Sequence, residues 1–580
     1  MTQNHSNRKN KIWSNFLIIL SIIGLTVCIA VLFPQVRHLI IRGVEKMIHK
    51  EIHLYQMLFD ALGSYAMGGI CSILFIDWCS FTNSGRRLTQ NVKREMKECI
   101  SQIDFTIFIK PIIIMSGIYL LGILTIMRAD FLYMDDLSYA VTGHREWYNW
   151  SRYVIVFLSC IVQPEIRLTD ISPLPQLLAA IVLSISSVLL VYVIGGRKIT
   201  PIRLWASIPL GISPYFLECL SYKFLALYMA LSVLACIVPF LFIARKKAFL
   251  LISVVSLLIM CMTYQAASGI YPLIVMIISF KYWNNHKKTN KEILLFLGTS
   301  GFAFCFALLF FRIFMMVPHI DLYTSTSILP FSSLITGSVS NIKNYAWFIN
   351  NDFGMIWKIG IALVLLFFIM KSVRQSKQRK IYSIIVSIAV LGLSFILSYG
   401  MYSLLTNPMY APRAMFGFGV FLAILCIDVV SETKKSAAGV VLALNWCFFV
   451  FAFSYGNALA EQARYAEFRI TLLLHDLSAL YPDPNKENLT FQLKNSIDYA
   501  PSIKNISKHY PIIERLVPKR LGTDNYWNYH YLLQHFNFES IYMDISPAID
   551  FAALNLPVVS DSYYHTIRSD GSRVLIILKH

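Results

Sequence analysis

The sequence predicts a polytopic α-helical membrane protein with a small α+β domain at its C-terminal end. Three observations predict it. Of 580 residues, 56% are hydrophobic and only 14% are charged. Apolar runs near the roughly 20 residues that cross a hydrocarbon core recur between residues 13 and 456. Beyond residue 456 the pattern turns polar, with one helical stretch and then short β-branched runs bounded by turn residues.

Window hydropathy places about thirteen spans near 13–33, 57–77, 106–127, 174–194, 204–217, 224–243, 248–263, 265–280, 293–312, 354–371, 381–405, 413–430 and 437–456. This divides the chain into an N-terminal anchor region with two spans (1–105), a transmembrane body (106–456) and a soluble domain (457–580). The first run is too long for a cleaved signal, and Phe33-Pro34-Gln35 is a poor cleavage site. A formal net charge of +19 raises the question of a nucleic-acid partner. However, the Lys and Arg residues gather in short loops, as in 86–97, 197–203, 281–291 and 371–380. Placing every cluster in the cytoplasm gives one alternating path. The N-terminus is then inside, and the loop 128–173, the long loop 313–353 and the tail are outside. Eleven cysteines, none after Cys447, exclude a disulfide scaffold in the tail, and no ligand spacing suggests a metal cage. Whether a divalent cation assists stays open.

The loop 128–173 opens with two adjacent carboxylates, Asp135 and Asp136, in "FLYMDDLSYAVTGHREWYNW". "WYNWSRYVIVFLSCIV" then reads as an interfacial helix too short to span, and 313–353 as a lid-like loop. In the tail, Leu459, Ala463, Ala466, Ile470, Leu473 and Leu474 recur at helical spacing, ended by Pro482 and Pro484. "ESIYMDIS", "NLPVVSDS" and "SRVLIILKH" read as strands, with "IRSDGSRV" as a hairpin.

Carboxylates at an outer membrane face suit a reaction in which an acceptor hydroxyl loses its proton while attacking an activated sugar. One Asp acting as general base contributes about 10²–10⁴-fold. Asp135 and Asp136 are both candidates for that base. A lipid-phosphate leaving group needs cations, and Arg145, Arg152, Lys223 and Arg413 stand at the outer edge. Trp147, Glu165, Asp170, Glu218, Tyr222 and Gln265 are candidates for binding substrate. Each has a plainer reading. The aspartate pair serves as a solvated loop cap, Arg413 as a snorkelling anchor, and Glu218 and Lys223 as mutual partners. Gln265 becomes a helix-turn contact and Trp147 part of an interfacial aromatic belt.

Several stretches together resemble one family, the Gtr-type serotype-converting O-antigen glucosyltransferases of enteric bacteria and their phages. They are "DFLYMDDLSYAVTGHREWYNWSRY", "DISPLPQLLAAIVLSISS", "SPYFLECLSYKFLALYMALSVLACIVPFLF", "TYQAASGIYPLIV", "SYGNALAEQARYAEFRITLLLHDLSAL" and "LPVVSDSYYHTI". They run in order from about residue 106 to the end. The resemblance implies a GT-C-like membrane enzyme of the bacterial inner membrane. Such an enzyme takes glucose from undecaprenyl-phosphate-glucose on the periplasmic side and adds it to O-antigen repeat units. It also implies a catalytic acid in an early outside loop, where Asp135 and Asp136 stand. Two positions depart from the family pattern: Leu225, where an acidic residue is common, and Tyr139, where a basic one often stands.

A transporter or flippase for a lipid-linked sugar is the competing reading. It accounts for the spans and cations but leaves the tail without a role, and no internal repeat supports it. An acyl or phospho-group transferase is disfavoured for want of a Ser-centred nucleophile motif in the outside loops.

Overall fold

The computed structural model describes residues 82–317, 327–430, 435–482, 489–522, 532, 535–536, 542–543 and 549–579. The expected spans at 13–33 and 57–77, and most of the anchor region, lie outside the described residues.

Helix α1 (Asn83–Ser101) is capped by Thr82, whose hydroxyl accepts the Gly85 N–H at 2.9 Å. Helix α2 (Thr106–Ala129) is a long apolar span. It delivers the chain to α3 (Asp136–Thr142), a 3-10 turn at Glu146–Trp150 and α4 (Tyr153–Val162). At ten residues α4 is too short to span, as expected, and it leaves Phe157 and Ile161 exposed. Helix α5 (Leu174–Ile194) returns across the body.

The expected span at 204–217 is corrected. Three short helices replace it: α6 (Pro201–Ala206), α7 (Pro209–Ile212) and α8 (Pro214–Ser221). Each starts on a proline, whose ring suits a first helical position but removes an N–H and blocks the preceding turn. Such broken backbone is tolerated at membrane depth only inside protein, and residues 206–222 are all buried.

Helices α9 (Ala226–Ile237), α10 (Lys246–Cys261), α11 (Ile270–Asn284) and α12 (Asn290–Phe310) follow. The long loop contains a 19-residue helix, α13 (Leu334–Asp352). Then come α14 (Met355–Gln375), α15 (Lys380–Ser398), α16 (Gly417–Val429) and the 46-residue α17 (Lys435–Leu480). Among the described residues, seven helical stretches are long and apolar enough to cross a membrane: Thr106–Ala129, Leu174–Ile194, Gln265–Asn284, Asn290–Met315, Met355–Gln375, Lys380–Ser398 and Lys435–Leu480. The protein is therefore a membrane protein. The expected spans 224–243, 248–263 and 413–430 correspond to shorter helices.

At 1.5 Å per residue α17 is about 69 Å long and runs through residue 456 without a break. The last expected span and the tail helix are thus one rod. It packs tightly against α2: Thr125 Oγ1 donates to the Ala452 carbonyl at 3.3 Å, and a Cβ at Gly456 would fall 2.5 Å from the Thr125 carbonyl carbon. Small residues that let backbones approach are the usual means of helix association where lipid removes the hydrophobic drive.

Among the described residues the C-terminal sheet has five strands in the order β2-β1-β5-β4-β3. They are β1 (Thr490–Lys494), β2 (Tyr542–Met543), β3 (Val558–Asp561), β4 (His565–Ser569) and β5 (Arg573–Leu578). β1 is parallel to β2 and β5, and the β3-β4-β5 ladder is antiparallel. The expected hairpin is β4-β5, turning at Gly571 with φ +95°. The tail of α17 seats this sheet with buried Ala466, Ile470, Leu473 and Leu477. Arg469 donates to the carbonyls of Tyr564 (2.8 Å) and Lys579 (2.6 Å), and Asp476 meets His565 at 2.9 Å. Leu137 of α3 joins this core, while α18 (Pro501–Ser507) and α19 (Ile513–Leu516) pack on the helical body.

Candidate functional site

The two aspartates have different environments. Asp136 is fully buried. Its Oδ2 accepts the backbone N–H groups of Lys223 (2.8 Å) and Tyr133 (3.2 Å), and its Oδ1 that of Phe224 (3.3 Å). It stitches the segment after α2 to the turn between α8 and α9. Burial pushes its carboxyl up to about 8, against the pull of these donors. Arg520 lies alongside, its guanidinium 4.0 Å over the Phe131 ring and within electrostatic reach of Asp136. Asp135 caps α3, is exposed, and makes no side-chain bond to the helix it starts. Its charge reaches inward to Tyr222 and Tyr139, whose hydroxyls burial holds protonated, well above their ordinary range.

Beside Asp135 is a cleft of about 740 Å³. Tyr133 and Met134 from the aspartate loop, Glu218 from α8, Tyr410 to Arg413 and the tail segment 514–519 line it. Three cations enter it, each steadied by a carboxylate. Arg413 Nη1 meets Glu218 Oε1 at 2.8 Å, and Glu218 Oε2 accepts the Arg413 N–H, which fixes the guanidinium 5.7 Å from the Tyr222 ring centre. Arg515 pairs with buried Asp352, which also accepts the Tyr215 hydroxyl at 2.8 Å. Lys519 lies 3.4 Å from Asp498 and 5.1 Å from the Tyr499 ring centre. The Tyr222 hydroxyl beneath is buried with no hydrogen-bond partner among the described residues.

Of the expected site residues, Glu218 and Arg413 line the cleft, Tyr222 lies against the Arg413 guanidinium, and Asp135 adjoins the lining residue Met134 in the chain. Arg152 and Gln265 are not in the cleft lining: Arg152 lies 5.4 Å from the Tyr264 ring centre, and Gln265 follows Tyr264 in the chain. Five other expected site residues are engaged away from the cleft lining. Arg145 donates to the carbonyls of Gln163, Glu165 and Ile166, which ties off its own loop. Lys223, 4% exposed, is held by Asp130 (2.5 Å) and Asp170 (2.8 Å), so neither Lys223 nor Asp170 faces the cleft as a ligand. These carboxylates outweigh burial and raise Lys223, while Asp170 is lowered. Trp147 is buried against Tyr139 and Tyr228 and offers no open face to a sugar. The Glu165 side chain is exposed and apart from the cleft. The mutual pairing of Glu218 and Lys223 does not occur, since each has other partners.

Sequence reasoning missed Asp352, Arg515, Lys519 and Arg520. The only signal was the basic run "ERLVPKR" in a tail otherwise read as a separate domain. Among the described residues no group of three or more His, Cys, Asp or Glu side chains could hold a metal ion.

The family model described as "Glucosyl transferase GtrII" matches residues 124–427, more than half of the chain and the whole stretch from the aspartate loop to α16. A Salmonella phage P22 protein described as "Uncharacterized 55.3 kDa protein in gtrB 5'region" is 25% identical over 440 residues, covering 73% of this chain and 88% of the relative. No solved structure matches the chain.

Proposed function

This chain belongs to the glucosyl transferase GtrII family, and from that premise we propose that it transfers glucose from undecaprenyl-phosphate-glucose to O-antigen repeat units at the periplasmic face of the bacterial inner membrane. Family membership supports glycosyl transfer over the transporter reading. The observation that carries the site is the exposed Asp135, next in the chain to Met134, which lines a cleft together with Arg413, Arg515 and Lys519. The long apolar helices suit a donor whose lipid lies in the bilayer.

The proposed step is a single displacement with inversion. An acceptor hydroxyl oxygen bonds to the anomeric carbon as the bond from that carbon to the phosphate oxygen breaks. The hydroxyl proton passes to Asp135, and the electron pair leaves on undecaprenyl phosphate. The guanidinium forks of Arg413 and Arg515, with Lys519, neutralise that phosphate. Asp136 and Glu218 position the loop and the Arg413 fork.

Membranes containing the full chain, supplied with labelled undecaprenyl-phosphate-glucose and O-antigen lipopolysaccharide, should place label in the polysaccharide without any nucleotide sugar. Label transferred only from a nucleotide-glucose would sink the donor assignment.

A further inference from the structure

The end of the helical body remote from Asp135 holds a second cavity, of about 620 Å³. Helices α2 and α5 have their Asp135-side ends at Ala129 and Leu174, and their other ends lead to Ile103 and Ile194 in this cavity wall. The 24 residues of α2 put the two sites about 36 Å apart along the helix. Among the described residues, seven cationic side chains line the cavity against one carboxylate, Glu292.

The positive-inside bias accounts for exposed Arg197, Lys246 and Lys287, but not for what lies below them. Lys281 and Lys371 both reach the buried carboxylate of Asp428, at 2.6 and 3.1 Å, so two cations share one anion at the floor. Lys281 also donates to the Ile194 carbonyl at 2.8 Å. Arg203 donates to the carbonyls of Gly195 (3.0 Å) and Lys198 (2.8 Å), which fixes the turn that presents Arg197. The lining also has an apolar part: Phe240, Phe249, Leu295 and Phe296. Leu295 belongs to α12, a span buried over only 22% of its apolar window, so the wall opens toward the surface that faces lipid.

We propose that this cavity binds the phosphate of an anionic phospholipid, with the headgroup among the cations and an acyl chain along the aromatic wall. Basic pockets between membrane helices recognise lipid headgroups by this combination. A soluble phosphate compound would satisfy the cations but leave the apolar wall without a function.

The test uses the detergent-purified full chain and native mass spectrometry. It is titrated with short-chain phosphatidylglycerol, with phosphatidylcholine of the same chains, and with glycerol phosphate. One phosphatidylglycerol should bind, about tenfold tighter than either alternative. Each cation near an anionic headgroup is worth about fivefold in affinity, so Arg197→Gln, Lys246→Gln and Lys287→Gln together should weaken it by roughly a hundredfold. The charge-preserving set Arg197→Lys, Lys246→Arg and Lys287→Arg should bind like wild type. Unaltered binding by the glutamine set would overturn the site. Equal binding of glycerol phosphate would overturn the lipid and leave a soluble phosphate as the ligand.

Discussion

Replacing Asp136 by alanine should unfold the site rather than disarm it. The change strands three buried N–H donors, those of Lys223, Tyr133 and Phe224, now bonded at 2.8, 3.2 and 3.3 Å. A buried donor left without a partner costs about 1–3 kcal/mol. Because two of the three bonds are long, the total falls near the lower half of the range, about 3–6 kcal/mol. Asp135→Ala removes an exposed side chain that makes no cap bond, so its cost should stay within about 0.5 kcal/mol. Thermal unfolding of the detergent-solubilised chain, followed by loss of the monodisperse chromatographic peak, separates the two. The Asp136 variant should melt roughly 3–5 °C below wild type, while the Asp135 variant melts with it. If Asp136→Ala melted like wild type yet lost transfer, Asp136 would be the reacting carboxylate and the assignment would be reversed.

Three further outcomes follow from the same geometry. Arg413→Lys keeps a cation on buried Glu218 and should fold while losing transfer at least about tenfold, since an ammonium cannot reproduce the fork. Arg413→Ala strands the carboxylate at a cost of about 3–5 kcal/mol and should deplete folded protein; normal folding of both with full transfer would remove Arg413 from the site. The Asp136 carboxyl is held up at about 8 in the fold, against ~3.9 when unfolded. A raised carboxyl contributes stability that is fully present below the unfolded value and is lost as pH rises through the folded one. Melting temperature should therefore fall between pH 4 and pH 8 more steeply for wild type than for Asp136→Asn, and parallel profiles would contradict this. Gly456→Val drives a side chain into the Thr125–Ile126 backbone and should cost about 1–3 kcal/mol or more; an unchanged melting temperature would argue against the tight α2–α17 crossing.

How much was legible in the sequence depended on how local each signal was. The span at 174–194 coincides with α5, and the β4-β5 hairpin turns within "IRSDGSRV", because periodicity and turn chemistry are written in adjacent residues. The segment 201–221 was misread because window hydropathy ignores Pro209 and Pro214, which break the helix where burial allows it. Asp135 and Asp136 could not be told apart, since the difference lies in N–H groups donated from 87 and 88 residues away. The partnership of Arg515 with Asp352 spans 163 residues, and nothing near either residue announces it. Lys223 reads from sequence as a phosphate-binding cation or a partner of Glu218 because Asp130 and Asp170, which hold it, flank it in space and not in sequence.

The most direct test of the central claim is mass spectrometry of the O-antigen from a host lacking this protein, complemented with wild type or Asp135→Asn at matched membrane levels. The account predicts one added hexose per repeat unit with wild type and none with Asp135→Asn, whose melting temperature stays native. Hexose addition by Asp135→Asn at the wild-type level would contradict it.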